Sequence, residues 1–189
     1  QLPLKLDVNS IAFSIWLRML FSCLVDADYL DTEAYMKPSS ASERGKYESM
    51  EVLYSKFMVH SEQFMKNAKF SNINTIRTSI FNKCVDTAKM PQGIFSLTVP
   101  TGGGKTLSSL AFALEHAKKH QLERIIYVLP YTSIIEQNAS VYKNILGEQN
   151  VLEHHSNVSE EMKTNREKLA SENWDIPVIV TTNVQFFES

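Results

Sequence analysis

The sequence of 189 residues has little of what collagen-like, secreted or membrane-spanning chains depend on. It holds six glycines, six prolines and only two cysteines, Cys23 and Cys84, which lie far apart and outside any CxxC spacing. These counts exclude a collagen repeat and a disulfide framework, and they predict two reduced, mostly buried thiols in a cytoplasmic protein. The longest apolar stretch, 11–25, is interrupted by polar residues and is too short to span a bilayer, so no membrane partner is expected.

The chain also lacks a large excess of charge of either sign. The chain carries 19 Lys and Arg against 21 Asp and Glu, for a net charge of −2, and 43% of its residues are hydrophobic. Residues 41–90 hold eight basic and five acidic side chains, whereas 151–189 hold three basic and seven acidic ones. A chain without a global positive field must contact nucleic acid, if at all, through a local surface.

The first half of the chain has helical periodicity. Apolar residues recur at helical spacing over 8–25, around so much of the circumference that this helix is expected to be buried on more than one side. Residues 36–46 are typical of a polar linker, and two further helices are predicted near 47–67 and 72–89.

From residue 94 onward short apolar runs alternate with helical segments. The runs that we predict as strands are 94–99, 125–129, 151–152 and 177–181, and the predicted helices lie near 105–120, 132–146 and 159–172. Alternation of this kind predicts an α/β fold with a parallel sheet flanked by helices, preceded by an all-α segment.

The strongest motif is the run Pro-Thr-Gly-Gly-Gly-Lys-Thr over 100–106, between a predicted strand and a predicted helix. Glycines allow successive backbone N–H groups to surround a phosphate at the positive end of a helix, which predicts ATP as the ligand. In this pattern the lysine reaches the β- and γ-phosphates and the threonine hydroxyl binds Mg²⁺. The predicted nucleotide site is therefore Thr101, Gly102, Gly103, Gly104, Lys105 and Thr106, with Lys105 and Thr106 as its catalytic residues.

The motif departs from the general phosphate-loop pattern at one position. Val99 stands where that pattern has its first glycine, and the form without this glycine is similar to that of superfamily 2 helicases. The run 130–138 resembles motif Ia of the same helicases, which implies that Thr132, Ser133 and Gln137 hold a nucleic-acid backbone. Thr181 and Thr182 resemble a later strand-end contact to the tracking strand. Helix capping is the alternative for these hydroxyls.

The phosphate loop, the motif Ia segment and the run 22–33 together resemble the CRISPR-associated helicase–nucleases of type I systems. The resemblance implies 1–40 as the tail of an HD nuclease domain, 41–90 as a helical linker and 91–189 as part of a first RecA-like domain. It implies ATP-driven translocation on single-stranded DNA, recruitment by a guide-RNA surveillance complex, and a nuclease whose divalent transition metal is bound in part by Asp28. It also implies a piece of a longer protein that is inactive alone. Two alternatives stay open: another superfamily 2 ATPase acting on RNA or DNA without nuclease activity, and an adaptor that binds nucleotide without turnover.

The histidines do not indicate a metal site. His116 and His120 have helical spacing, but Glu115 precedes the first histidine rather than following it, so a zinc protease helix is excluded. His154 and His155 are neighbours after a strand and point to opposite faces.

Arg77 and four aromatic residues have two interpretations each. Arg77 is either a contact to the adenine base or an ordinary surface arginine. Trp16, Trp174, Phe186 and Phe187 are interpreted as core or domain-interface residues, with base stacking as the minority interpretation.

Overall fold

The computed structural model describes residues 10–38, 45–156, 171 and 173–188, and the chain divides into two compact units, 1–44 and 45–189. The described part of the first unit contains helix α1 (Ile11–Met36). It begins at Ser10, whose Oγ accepts a hydrogen bond of 3.1 Å from the Phe13 N–H and so satisfies a donor of the first turn. The helix continues through the acidic run that follows residue 25.

The expectation that this first helix is buried on more than one side is wrong for the described residues. Ile11, Phe21 and Leu24 are all more than 65% exposed, because the described part of the first unit contains no second element that could cover them. Cys23 is exposed for the same reason, whereas Cys84 in the second unit is buried, and burial raises the pKa of its thiol. The prediction of buried thiols is therefore right for Cys84 alone.

The second unit opens with two helices that begin at serine caps. Helix α2 (Met50–Asn67) follows Ser49, and α3 (Asn72–Thr87) follows Ser71. Each serine Oγ accepts a hydrogen bond from the backbone N–H three residues later. Both helices lie close to their predicted positions, and they belong to the same compact unit as the sheet.

The alternating part of the chain follows the predicted order. Helix α4 begins at the predicted lysine, and α5 also has its predicted bounds; the predicted helix at 159–172 lies almost entirely outside the described residues. The elements are α4 (Lys105–His120), β1 (Ile125–Leu129), α5 (Thr132–Leu146), a 3₁₀ turn (Glu148–Asn150), β2 (Val151–His154), β3 (Val178–Thr182) and α6 (Asn183–Glu188).

The three strands form one parallel sheet in the order β1–β3–β2. Val178 of the central strand lies opposite Ile125 on one side and Val151 on the other, so the carboxyl ends of all three strands meet at one edge. Every residue of β3 from Val178 to Thr181 is buried, as expected of a central strand with both faces covered. The predicted α/β fold with a parallel sheet flanked by helices is confirmed.

One predicted strand does not form. Residues 94–99 belong to no helix or sheet, Ile94 is fully exposed and Leu97 is 41% exposed. Apolar residues favour a strand only where another strand supplies ladder hydrogen bonds, and none of the described strands runs beside this segment. The segment nevertheless leads into the phosphate loop, as the motif requires.

The main core lies between one face of the sheet and the helices. Val151, Val178 and Val180 pack in a single buried cluster with Phe57 of α2 and Leu114 of α4. A smaller cluster covers the other face, where Leu152, Ile176 and Ile179 meet partly buried Tyr47 and Trp174. Helix α4, which begins at the phosphate loop, is thus fixed against the sheet along its buried side.

Truncation of the core should be costly. We expect Leu114→Ala to lower the free energy of unfolding by about 2–5 kcal/mol, because Leu114 is fully buried and the substitution leaves a cavity between α4 and the sheet. Denaturant titration followed by circular dichroism measures this. Leu97→Ala, at a solvent-exposed leucine, is the control, and equal losses in the two variants would contradict this description of the core.

Candidate nucleotide site and nucleic-acid interface

The three glycines of the loop are required for two different structural reasons. Gly102 and Gly104 have φ angles of +80° and +85°, in the left-handed region that side chains disfavour. Gly103 is required for space: a Cβ added there would lie 2.3 Å from Val99 Cγ1 and 3.0 Å from the Pro100 carbonyl oxygen. The Gly103 N–H donates to that same oxygen at 3.1 Å, which closes the turn. The loop therefore has a shape that only this glycine run can adopt without strain.

Helix α4 begins directly after the loop, with Lys105 and Thr106 as its first two residues. Its N-cap position is Gly104, which provides no side-chain cap, and its first turn contains no acidic residue. The first-turn N–H groups and the positive end of the helix dipole are thus left for an anionic ligand. Lys105 is exposed and Thr106 partly exposed, so both side chains can reach such a ligand.

Arg77 of α3 contacts the phosphate loop. Its Nε donates to the Gly102 carbonyl oxygen at 2.9 Å, and its Nη1 donates to Asn74 Oδ1 at 3.1 Å. Asn74 in turn donates through Nδ2 to the Lys69 carbonyl oxygen at 2.8 Å, and its backbone N–H is capped by Ser71 Oγ. Because this chain of hydrogen bonds turns one loop carbonyl toward the guanidinium, it helps to hold the loop in place.

An open cleft of about 1390 Å³ lies beside the loop. Drug-sized ligands occupy pockets of roughly 300–1,000 Å³, so a nucleoside triphosphate fits here with room to spare. The chemistry also fits ATP with Mg²⁺: Lys105 and the helix N-terminus suit the phosphates, and the Thr106 hydroxyl suits the metal. The cleft is lined by residues of α2, α3, the phosphate loop, α4 and α5, among them Ser71, Asn74, Arg77, Gly102, Lys105 and Gln137.

The predicted motif Ia residues follow strand β1 at the carboxyl edge of the sheet. Helix α5 has Tyr131 at its N-cap without a side-chain hydrogen bond, so Thr132 and Ser133 do not cap it. The capping alternative therefore does not explain these two hydroxyls. Gln137, one turn further along, lines the nucleotide cleft, although the motif predicts it as a nucleic-acid contact.

The two threonines at the end of β3 have structural roles. Thr181 is fully buried, and its hydroxyl donates to the His154 carbonyl oxygen at 2.7 Å, so the prediction of a nucleic-acid contact does not match its position. Thr182 Oγ1 accepts a hydrogen bond of 3.0 Å from the Gln185 N–H at the start of α6. For Thr182 the structure has the capping interaction that was the alternative.

The described residues contain one group of potential metal ligands. Glu136, Glu153 and His155 have ligand atoms within 4.8 Å of one another. The Glu153 carboxylate already lies 3.0 Å from His155 Nε2 and 3.7 Å from Lys143 Nζ, so it has partners within the protein. Asp28, the predicted nuclease ligand, is exposed on α1 and belongs to no such group among the described residues, so those residues alone do not form a metal site there.

Two other histidines connect neighbouring elements through backbone carbonyl groups. His116 Nδ1 lies 2.7 Å from the Ala88 carbonyl oxygen, and His120 Nε2 lies 2.8 Å from that of Met90. Both contacts attach α4 to the residues that follow α3. None of the described helices is both long and apolar enough to cross a membrane.

Comparison with known proteins gives the class to which this site belongs. A model of the DEAD/DEAH box helicase family matches residues 75–189, which include Arg77, the phosphate loop and the whole sheet. The chain therefore belongs to the DEAD/DEAH box helicase family.

Similarity to one curated protein points to a narrower group of helicases. The chain is 33% identical over 121 residues to the "CRISPR-associated nuclease/helicase Cas3" of Haloferax volcanii, an alignment that covers 51% of this chain. The aligned part is 13% of the relative's length, so the chain spans only a small part of that protein. The resemblance to CRISPR-associated helicase–nucleases is confirmed at this level.

Sequence reasoning missed Ser71 and Asn74 as supports of the site. The signal was present, since a serine before an apolar-periodic segment is typical of a helix cap and Asn74 stands three residues before Arg77. What the pattern could not show is that α3 lies against the loop, because that contact joins residues 25 positions apart.

Gly103→Ala should disable the loop while the fold persists. The added Cβ would meet Val99 and Pro100, so the loop must shift and the affinity for ATP should fall by roughly tenfold or more. Fluorescence titration with a labelled ATP analogue measures this. Gly93→Ala is the matched control, since a Cβ at Gly93 meets only the Pro91 carbonyl oxygen, at an ordinary contact distance of 4.0 Å. Equal affinities in the two variants would refute the assigned loop geometry.

Arg77→Ala should weaken nucleotide binding through the loop. Loss of one charge-assisted hydrogen bond at an exposed site should lower ATP affinity by roughly five- to tenfold. Arg77→Lys should recover only part of it, because an ammonium cannot contact Gly102 and Asn74 with the same planar fork. Calorimetric titration with ATP measures both variants, and wild-type affinity in Arg77→Ala would show that the contact does not position the loop.

Proposed function

We propose that this chain binds ATP with Mg²⁺ at the phosphate loop and forms part of an ATP-hydrolysing helicase. The observation that carries the proposal is the uncapped start of α4 behind three glycines, two of them in the left-handed region. Lys105 would pair with the β- and γ-phosphates, and the Thr106 hydroxyl would bind Mg²⁺. Thr101 and the three glycines would supply the loop, while Arg77 holds it from α3.

The proposed nucleic-acid contact is at the carboxyl edge of the parallel sheet. Ligands of α/β sheets bind outside the carboxyl ends of the strands, and Thr132 and Ser133 stand there at the start of α5. Hydroxyl and N–H groups at a helix start suit backbone phosphates. Gln137 lies between this edge and the nucleotide cleft, where it would respond to both ligands.

For the whole protein we propose an ATP-dependent translocase on single-stranded DNA, coupled to an HD nuclease that acts in CRISPR interference. The name of the Haloferax volcanii relative, a nuclease/helicase, supports this reading. Residues 1–40 would then be the nuclease tail, 41–90 the helical linker and 91–189 part of the helicase domain. Asp28 would give one carboxylate to a divalent transition metal whose other ligands lie outside the described residues. A guide-RNA surveillance complex would be the recruiting partner, and the cytoplasm, where thiols stay reduced, the location.

Lys105→Ala tests the nucleotide site in this chain. We expect the affinity for Mg²⁺–ATP to fall by roughly tenfold or more, because the cation that faces the phosphates is lost. Lys119→Ala, at an exposed lysine near the other end of the same helix, should bind as tightly as the wild type. Equal loss in both variants, or in neither, would contradict the assignment.

The same substitution in the whole protein tests the coupled activities. Lys105→Ala should abolish ATP-driven strand separation and leave metal-dependent nicking of single strands, because the two activities use separate sites. Normal unwinding by the variant would refute the phosphate-loop assignment. Unwinding by the wild type without nicking in any divalent metal would favour the alternative, a superfamily 2 ATPase on RNA or DNA without a nuclease.

A further inference from the structure

Four aromatic rings lie in contact next to the sheet. The ring centroids of His154 and Trp174 are 5.7 Å apart, those of Trp174 and Phe186 are 6.2 Å apart, and those of Phe186 and Phe187 are 5.3 Å apart. We call these four residues the aromatic ladder. Its outer ring, Phe187, is 82% exposed, although a phenylalanine side chain is usually buried. Phe187 therefore presents its apolar ring to solvent, whereas the other three rings are partly buried.

The ladder is held in a defined position. Trp174 has a φ of +50°, a strained value for a bulky residue, and its Nε1–H donates to His154 Nδ1 at 3.1 Å. The indole N–H can only donate, so His154 Nδ1 is the acceptor of this bond and orients the indole ring. The inner side of Trp174 packs in the small core with Leu152 and Ile179. Strained residues persist where the surrounding contacts over-determine them, often at ligand sites.

The ladder stands at the carboxyl edge of the sheet. His154 is the last residue of β2, and Phe186 and Phe187 lie on α6, which begins directly after β3. The residues that start α5, Thr132 and Ser133, follow β1 at this same edge. The ladder thus lies at the same edge of the sheet as the proposed nucleic-acid contact.

The chemistry of the ladder suits bases rather than phosphates. The segments that form it, 151–156 and 173–188, contain no lysine or arginine. Aromatic rings bind bases by stacking, which every base allows, at roughly 1–3 kcal/mol per base and without regard to sequence. These segments therefore have no lysine or arginine to pair with a phosphate, but they offer an aromatic face on which an unpaired base can stack.

We propose that the aromatic ladder stacks an unpaired base of the single-stranded DNA that runs along this edge, with Phe187 as the contacting ring. This inference rests on the nucleic-acid part of the proposed function and adds to it a base contact beside the backbone contacts. It reverses the interpretation of Phe187 as a core or interface residue and makes base stacking its function.

The test is the affinity of the chain for a fluorescein-labelled oligothymidylate at several salt concentrations. Phe187→Ala should weaken binding by roughly 5- to 100-fold and leave the salt dependence unchanged, because stacking releases no counterions. Phe187→Leu should be as weak as the alanine variant, and Phe187→Trp should restore binding, since only an aromatic face stacks. Phe21→Ala, at an exposed phenylalanine of α1, is the matched control and should bind like the wild type.

A second probe distinguishes binding to the bases from binding to the sugar–phosphate backbone. On an oligonucleotide of the same length whose sugars carry no bases, wild type and Phe187→Ala should bind equally. In a Trp16→Phe background, oligothymidylate should quench the fluorescence of the remaining Trp174. Phe187→Ala does not disturb the small core, so its folding can be verified by circular dichroism.

Three outcomes would overturn the proposal. Wild-type affinity in Phe187→Ala, with the wild type binding DNA, would refute the ladder alone and leave the proposed function intact. Self-association that Phe187→Ala abolishes, with unchanged DNA affinity, would identify the ladder as a protein contact instead. Failure of the wild-type chain to bind any oligonucleotide would refute both the ladder and the nucleic-acid part of the proposed function, while ATP binding would remain a separate result.

Discussion

The start of helix α4 is the feature on which the rest of this structure depends. A helix whose first turn lacks a cap keeps unsatisfied N–H donors and a positive dipole end, and a phosphate is the ligand that satisfies both. Gly102 and Gly104 make the approach to this helix possible through φ angles that other residues avoid, and Gly103 through the absence of a Cβ. An acidic cap at Gly104 would satisfy the helix internally and remove the site.

The remainder of the second unit keeps this helix start in position. The buried side of α4 packs against the sheet through Leu114, and His116 and His120 attach α4 to the carbonyl groups after α3. Helix α3 also contacts the phosphate loop that precedes α4, where Arg77 donates a hydrogen bond to the Gly102 carbonyl oxygen. The loop is thus held by the backbone of one helix and by a side chain of another. Helices α2 and α3 therefore serve the site as well as the core.

Local chemistry explains which features were predictable. The bounds of α4 and α5 follow from strong signals, a glycine run before Lys105 and a proline and strand end before Thr132, and both were predicted. A strand was also predicted at 94–99 but does not form, because strand formation depends on a partner that no local pattern contains. The burial of Thr181 and the contact of Arg77 with the loop are likewise set by distant residues. The sequence pattern could name the residues of the phosphate loop, but not the neighbours that position them.

The central claim is that the loop recognises phosphate groups rather than a nucleoside. Calorimetric titration of the wild-type chain with ATP, ADP, AMP and adenosine, each in the presence of Mg²⁺, measures this most directly. The account predicts that ATP and ADP bind at least roughly tenfold more tightly than AMP, and that adenosine binds most weakly, since the β-phosphate lies at the helix start in this type of loop. Adenosine binding as tightly as ATP would contradict it, because the cleft would then recognise the base and not the phosphates.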